Sequence, residues 1–201
     1  MKELSDNLNL RNDNKLRLND EDFLNFDTKI HPNARKAAVC ILLFKKDNEF
    51  HIGMIKRNKY PGVHSQQIGF AGGKVDESDL NLWHTAKREV YEELGITLDM
   101  TNLIGKVNDI YIPPSNFLVR PYIVYYPETL ALNLDIREVA YFVDFPLSYL
   151  FEKDRYHSKD INTPDGRILT AEILNLEDDY IWGASFAMLK DFHNQFSESF
   201  K

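Results

Sequence analysis

The chain has 201 residues, of which 24 are basic and 31 acidic, so its net charge at neutral pH is −7. Hydrophobic residues make up 43% and charged residues 27%, an ordinary composition for a globular protein whose length allows one domain with a full core. The acidic balance argues against nucleic acid as a general partner, and no apolar run reaches transmembrane length, so we expect neither a nucleic-acid nor a membrane partner.

The first 30 residues are predicted to be an N-terminal extension, and residues 31–201 to be one domain. The extension is rich in Asn, Asp and Leu, shows no strand pattern, and favours short helices around residues 20–25. It has no apolar segment of the kind that signal peptides carry, and the chain has a single cysteine, Cys40. Cys40 lies in an apolar run and is expected to fill the core rather than act as a nucleophile. These features favour a reduced, cytoplasmic location.

Residues 36–44 form a near-continuous apolar run, which predicts a buried central strand. A polar turn at residues 45–49 and a second apolar run at 50–55 predict an antiparallel return strand. The segment that follows begins with a basic cluster, Lys56, Arg57 and Lys59. Such a cluster is either a solvated loop or a clamp for phosphate groups.

A helix is predicted after the glycine-permitted turn Gly72-Gly73, with Ser78 or Asp79 as its N-cap and Gly95 as its end. One face of this helix is apolar and is predicted to pack on a sheet; it comprises Trp83, Val90, Tyr91 and Leu94.

A second face of the predicted helix gathers Glu89, Glu92 and Glu93 within an arc of roughly 100°, flanked by Arg88. An acidic face is often merely solvated. The alternative is a site for hard divalent cations, because Mg²⁺ takes oxygen ligands and bridges carboxylates to substrate phosphates. The neighbouring glycine turn and the apolar opposite face favour the metal site.

The rest of the chain predicts strands at residues 103–112 and 117–126, the second with prolines that either bracket its ends or place it at an edge of the sheet. Its aromatic residues Tyr111, Phe117 and Tyr122 are either core residues or stack on a nucleobase. A further strand ends at Pro146 and is followed by a short helix at 147–151. A hairpin with its turn at Asp165-Gly166 and an amphipathic closing helix at 181–192 complete the domain.

The stretch from Gly73 to Ile96 resembles the Nudix box, G-x5-E-x7-R-E-U-x-E-E-x-G-U, where U is aliphatic. Arg88-Glu89-Val90 and Glu92-Glu93-x-Gly95-Ile96 match every defined position of its second half. In the first half the acidic residue is Asp79 instead of Glu, and eight residues instead of seven separate it from Arg88.

This longer, Asp-bearing form resembles the coenzyme A pyrophosphatase branch of that superfamily. The branch pattern H-x-G-Q followed by F-P-G-G is matched at His64, Gln67, Phe70, Gly72 and Gly73, with Gln66 in place of its first glycine and Ala71 in place of its proline. Arg57 also matches the branch, although Asn58 follows it in place of the branch's serine. The segments 113–122, Glu138-Val139 and Trp182-Gly183 match as well. His64 either contacts substrate or holds its own loop, and Glu138 lies either near the metal site or in solvent.

The resemblance implies an α/β fold, a Nudix-type α/β/α sandwich with a mixed sheet. It implies Mg²⁺- or Mn²⁺-dependent hydrolysis of a pyrophosphate bond in a small nucleotide substrate, by a monomer or homodimer. The implied metal ligands are Glu89, Glu92 and Glu93, which with Arg88 are also the implied catalytic residues. The implied substrate-binding residues are Arg57, His64, Gln67, Gly72, Gly73 and Lys74.

The favoured substrate is coenzyme A or an acyl derivative, cleaved to 3′,5′-ADP and a 4′-phosphopantetheine product. Two alternatives stay open. If Gln66 and Ala71 reshape the entrance, the substrate is ADP-ribose or another nucleoside diphosphate derivative. If the domain lacks turnover, it is a sensor that binds a nucleotide metabolite.

Overall fold

The computed structural model describes residues 31–62, 64–163 and 166–196. The helices predicted for residues 1–30 lie outside these ranges. Within them the chain forms eleven strands and two α-helices. The first strands are β1 (Arg35–Lys46), β2 (Glu49–Arg57), β3 (Ile68–Gly69) and β4 (Ala71–Lys74), and helix α1 (Leu82–Leu94) follows them. The remaining elements are β5 (Leu103–Lys106), β6 (Ile110–Ile112), β7 (Phe117–Tyr126), β8 (Val139–Pro146), β9 (Tyr156–Asn162), β10 (Ile168–Leu176), β11 (Asp179–Trp182) and helix α2 (Gly183–Phe196).

Strand β1 lies at the centre of the main sheet, as its apolar run predicts. It pairs in parallel with β7 along its length, and antiparallel with β4 at one end and β2 at the other. The order β3-β2-β1-β7-β5 is extended by β8, which pairs with β2, and by β6, which pairs with β7. The prediction that proline places β7 at an edge is wrong, because β7 lies between β1 and β5 and the Pro121 carbonyl accepts a hydrogen bond from the Val107 N–H.

Side chains of β1 alternate between two cores, one on each face of the sheet. Ala38, Cys40 and Leu42 pack into the core that α1 covers, whereas Ile41 and Leu43 pack into the core that α2 covers. A mixed sheet between helices was predicted, and the structure confirms it. Cys40 is fully buried and burial raises the pKa of its thiol, which agrees with a core role.

Helix α1 ends as predicted and starts later than predicted. Gly95 has a left-handed φ of 72° and its N–H donates to the Tyr91 carbonyl. The N-cap is Asn81, whose side chain accepts from the His84 N–H, so the prediction of Ser78 or Asp79 is wrong. The prediction that Tyr91 is buried is wrong, since this residue is 60% exposed. At about 100° per residue, Tyr91 falls at the margin of the apolar stripe that Val90 and its neighbours form.

Three further boundaries differ from the predictions. Gly72 and Gly73 belong to strand β4 and not to a turn. The strand predicted over 103–112 is two short strands, β5 and β6. Ile181 and Trp182 belong to β11, which forms a second sheet in the order β11-β10-β9, and the closing helix begins only at Gly183.

The short helix predicted at 147–151 is present as a 3-10 turn, and β9 and β10 form the predicted hairpin. Within the described ranges, neither helix is long and apolar enough to cross a membrane.

Candidate active site

Residues of β4, α1 and α2 are among those that line a cavity of about 400 Å³. Except for Arg88, every residue predicted for the site lines it: Arg57, His64, Gln67, Gly72, Gly73, Lys74, Glu89, Glu92 and Glu93. Its floor includes Ala37 and Val39 of β1, which face the same side of the sheet as the α2 core. The acidic face of α1 therefore borders a cavity and is more than a solvated surface.

Gly73 is required for the position of Glu89. A Cβ atom built on Gly73 would lie 2.5 Å from the carboxyl atoms of Glu89, closer than any normal contact. Because Gly73 has no side chain, the Glu89 carboxylate can pass over the edge of strand β4 and reach the cavity. Burial raises the pKa of Glu89, partly offset by the Arg88 guanidinium.

Gly72 and Glu93 form a second close approach. The Gly72 N–H donates to Glu93 Oε2 at 2.8 Å, and Arg57 Nη1 lies 3.9 Å from Glu93 Oε1. Gly72 has a φ of 147°, and a Cβ there would lie 2.4 Å from the Ala38 carbonyl oxygen. The Glu93 side chain is only 2% exposed, and burial raises its pKa to about 8 in spite of the nearby Arg57.

Arg88 lies behind the carboxylates instead of in the cavity. Its guanidinium contacts Glu89 at 2.9 Å and Glu92 at 3.0 Å, and it donates to the Lys74 carbonyl. Asp79 holds the same guanidinium through both carboxylate oxygens, each at 3.0 Å. Arg88 therefore positions two carboxylates of the site, while its guanidinium lies outside the cavity lining.

Asp79 is held in turn by Thr85 Oγ1, which donates at 2.8 Å, and by the Asp76 N–H. Its side chain is 4% exposed and lies away from the cavity lining. The Arg88 guanidinium and these hydrogen bonds lower its pKa although burial opposes them. The acidic residue before the helix thus anchors Arg88 and is no metal ligand in this arrangement.

Of the basic cluster in β2 and the loop after it, only Arg57 lines the cavity. Lys56 Nζ is paired with Asp179 at 2.6 Å, and Lys59 is exposed outside the cavity. His64 lines the cavity and its Nδ1 lies 3.2 Å from Gln67 Oε1. Burial and the nearby Arg57 lower the pKa of this imidazole, although the contact with Gln67 opposes them. The structure therefore supports both interpretations of His64, a loop contact and a position facing ligand.

Sequence reasoning missed several residues of the cavity. Glu138, weighed but not assigned, lines it and opposes ionisation of both Glu89 and Glu93. Tyr60 was not considered. A further set of missed residues comes from the β6–β7 connection and α2 and comprises Ile112, Ser115, Val119, Ala184, Ser185 and Met188.

The aromatic residues at residues 111–122 divide between the two predicted roles. Tyr122 is fully buried in the α1 core, where its ring lies 5.5 Å from that of Trp83. Phe117 lines the cavity, with the Arg35 guanidinium 4.0 Å above its ring. Tyr111 stacks on His31 with ring centroids 3.7 Å apart. Only Phe117 can therefore contact a ligand in the cavity.

The donor set suits a hard divalent cation. Four carboxylates, Glu89, Glu92, Glu93 and Glu138, line the cavity against the cations Arg57 and Lys74. No three Asp, Glu, His or Cys side chains of the described ranges form a ready-made metal site, and Glu89 and Glu92 both contact Arg88. Mg²⁺ needs no such cage, since it is commonly held by one or two carboxylates with substrate phosphates and water.

A family model for the NUDIX domain matches residues 34–178. The chain therefore belongs to the NUDIX domain family. Its place in that family, together with its fold, makes it a hydrolase that acts on pyrophosphate bonds.

The chain is 29% identical over 165 residues to Nudix hydrolase NudL of Enterobacter sp. (strain 638), covering 79% of this chain and 81% of that protein. It is also 29% identical over 163 residues to the NudL of Yersinia pestis (strain Pestoides F), covering 81% and 80%.

Among solved structures, a MutT/nudix family protein from Listeria innocua aligns with a TM-score of 0.52 at 21% identity, covering 83% of this chain and 96% of that one. The MutT/nudix family protein from Enterococcus faecalis aligns with a TM-score of 0.56 at 15% identity, covering 83% and 63%. At these identities the likeness concerns the fold alone.

Proposed function

We propose that the protein is a Mg²⁺- or Mn²⁺-dependent pyrophosphatase of nucleoside diphosphate derivatives, and that coenzyme A or acyl-coenzyme A is its substrate. The products would be 3′,5′-ADP and 4′-phosphopantetheine or its acyl form. The reaction class follows from the family, whereas the metal and the substrate belong to the proposal.

The observation that carries the metal requirement is the charge of the cavity. Four carboxylates line it, and Arg57 and Lys74 are its cationic side chains among the described residues. A pyrophosphate group would be repelled from such a surface unless divalent cations neutralise the carboxylates. Bound cations would also supply Lewis-acid activation of the attacking water and of the phosphoryl oxygens.

The chain's own residues have separable roles in this proposal. Glu89, Glu92 and Glu93 hold the cations, and Arg88 sets the direction of the first two through its contacts at 2.9 and 3.0 Å. Arg57 and Lys74 contact the phosphate oxygens, while Gly72 and Gly73 allow the close approach of helix and strand. His64 and Gln67, which contact each other, line the cavity on the Arg57 side.

The choice of coenzyme A is supported by the resemblance of the Asp-bearing box and of residues 64–73. The three departures from the branch pattern in this segment, Asn58, Gln66 and Ala71, do not line the cavity. Gln66 is exposed with a left-handed φ of 59°, so the backbone keeps the conformation that glycine would favour there. Ala71 is buried in the α1 core. None of these side chains lines the cavity, which weakens the reason for preferring ADP-ribose.

The test is a comparison of kcat/KM for coenzyme A, ADP-ribose, NADH and dinucleoside polyphosphates, each with Mg²⁺ and with Mn²⁺. We expect coenzyme A or acyl-coenzyme A to rank first and chelation of metal to abolish turnover. Coenzyme A at the bottom of the ranking would reject the substrate assignment. Ligand binding without product, for every substrate and both metals, would instead establish the sensor alternative.

A further inference from the structure

Strand β8 has an irregularity close to the cavity. Lys56 of β2 pairs with Tyr141 of β8, whereas the next residue, Arg57, pairs with Val139. Ala140 is therefore skipped in the pairing with β2, and the register shifts by one residue there. One extra residue on one strand of an antiparallel pair is a β-bulge. The residues that precede it on β8 face the opposite side of the sheet from the one that regular alternation would give.

The packing of β8 shows this reversal of faces. Val143 and Phe145 pack against the core that α2 covers, and regular alternation would place Val139 there too. Val139 instead lies in the core that α1 covers. The residue before it, Glu138, is thereby turned to the α2 face of the sheet, on which the cavity lies, and its side chain lines the cavity. The bulge thus aims this carboxylate into the site.

Asn58, at the end of β2, holds the segment that carries Glu138. Its backbone N–H donates to the Glu138 carbonyl at 2.9 Å, and its side-chain Nδ2 donates to the Ile136 carbonyl at 2.6 Å. The serine of the branch pattern at this position has a shorter side chain, whose donor lies nearer the backbone. The side-chain hydrogen bond to Ile136 therefore depends on the asparagine of this chain.

The same segment is attached to the helix that carries the other carboxylates. The Asp135 N–H donates to the Glu93 carbonyl at 3.2 Å, so residues 135–138 are held between the end of β2 and the end of α1. The charge of Glu138 repels the charges of both Glu89 and Glu93. A bound divalent cation relieves such repulsion, and the strength of its binding consequently depends on where the Glu138 carboxylate lies.

We propose that Asn58 is a positioning residue of the reaction site: with the bulge at Ala140, its side chain holds the Glu138 carboxylate in the cavity, where the negative charge strengthens binding of divalent cations. This inference rests on the metal site of the proposed function. Asn58 lies outside the cavity lining, so its side chain acts on the site through the segment that it holds.

The experiment measures the affinity of the full chain for Mn²⁺, without substrate, from the electron paramagnetic resonance signal of free Mn²⁺. The proteins are the wild type, Asn58→Ala, Glu138→Gln and the double variant. We expect Glu138→Gln to weaken Mn²⁺ binding about 10-fold and Asn58→Ala to weaken it about 3- to 10-fold. In the Glu138→Gln background, Asn58→Ala should change the affinity by less than about 2-fold, because no charge is left for Asn58 to position.

Asn102→Ala is the matched control. The Asn102 Nδ2 also donates to a backbone carbonyl, that of Tyr125 at 3.1 Å, and Asn102 lies outside the cavity lining. This substitution removes the same kind of hydrogen bond, so it should lower Tm while leaving the Mn²⁺ affinity unchanged.

Equal losses of Mn²⁺ affinity on Asn58→Ala in the wild-type and Glu138→Gln backgrounds would overturn the proposal, because Asn58 would then act independently of Glu138. Unchanged affinity in a folded Asn58→Ala would overturn it as well. If circular dichroism shows the alanine variant to be unfolded, Asn58→Ser, which carries the branch residue, takes its place with the same expected result. Turnover of the wild type on whole substrates judges the pyrophosphatase function separately, since Mn²⁺ binding is measured without substrate.

Discussion

Glu93→Gln should stabilise the metal-free protein while abolishing its activity. Glu93 is 2% exposed and burial raises its pKa to about 8, above the ordinary 4.5 of a glutamate. A group whose pKa is raised by folding binds a proton more tightly in the native state, so stability falls as pH rises between 4.5 and about 8. Glutamine keeps the shape and still accepts from the Gly72 N–H, but it carries no charge.

The size of the effect follows from that pKa. At pH 7 the Glu93 carboxyl would be protonated in the native state and ionised in the unfolded state. Each pKa unit between 4.5 and pH 7 corresponds to about 1.36 kcal/mol, so removing the charge can raise the free energy of unfolding by at most roughly 3 kcal/mol. Loss of the attraction to Arg57, 3.9 Å away, reduces the gain. We therefore expect Glu93→Gln to be more stable by about 1–3 kcal/mol at pH 7, which corresponds to roughly 2–12 °C in Tm.

The assay is thermal unfolding in EDTA at several pH values between 5 and 8, repeated with excess Mg²⁺. The advantage of Glu93→Gln should shrink toward pH 5, and Mg²⁺ should raise the Tm of the wild type more than that of the variant. Turnover should fall by roughly 100-fold or more. Glu92→Gln is the matched control, since Glu92 is 54% exposed and its change should alter stability by less than about 0.5 kcal/mol.

The reasoning would be refuted if Glu93→Gln were less stable than wild type in EDTA at pH 7, or if their difference did not vary with pH. Retention of full turnover by both the Glu92 and the Glu93 variants, with folding checked, would reject their assignment as metal ligands.

Three other substitutions test how the site is built. Gly73→Ala should lower kcat on the order of 100-fold in a folded protein, because its Cβ would displace the Glu89 carboxylate 2.5 Å away. Asp79→Asn should raise the Mg²⁺ concentration for half-maximal activity roughly 10-fold, because it weakens the hold on Arg88 that directs the metal-binding carboxylates. Gln66→Gly should raise Tm by roughly 2–4 °C with kcat/KM unchanged, because it relieves the left-handed backbone by about 1 kcal/mol.

Each of these three has an outcome that contradicts it. Normal kcat in Gly73→Ala would show that Glu89 needs no fixed position. An unaltered Mg²⁺ requirement in Asp79→Asn would show that Asp79 does not influence the metal-binding carboxylates. The control variant is Asp76→Asn, whose side chain is exposed in the same loop. A changed substrate preference in Gln66→Gly would place the loop in contact with substrate.

The carboxylate face of α1 was predictable because it depends on local spacing. Glu89, Glu92 and Glu93 share a face in any regular helix. Gly95 ends that helix because a left-handed φ is sterically unfavourable for a residue with a side chain. The start was predicted wrongly because several capping residues stand close together. Asp79 was a plausible cap, but its carboxylate is engaged by Arg88, and Asn81 caps instead.

The part of the cavity lining that comes from the β6–β7 region and α2 was not predictable from local patterns. Its residues lie around positions 112–119 and 184–188, and only strand pairing and the packing of α2 bring them together. An apolar residue that lines a cavity has the same periodicity as one that fills a core, so Phe117 and Tyr122 looked alike in the sequence. Ser115 likewise resembles any serine of a proline-containing turn until its burial and missing partner are known.

The cavity residues of α1 and those of α2 are held in place by different parts of the fold, so catalysis and substrate binding can be altered separately. Val90 and Leu94 fix α1, and hence its carboxylates, to one face of the sheet. Helix α2 packs on the other face of the sheet. Its Asp191 accepts hydrogen bonds from the backbone N–H and the side chain of Asn108, in the loop before β6, at 2.8 and 3.0 Å. Substitutions on α2 can therefore alter the cavity lining without moving Glu89 or Glu93. By this argument Met188→Ala should change KM for the substrate while leaving kcat nearly intact, whereas changes on α1 should act on kcat.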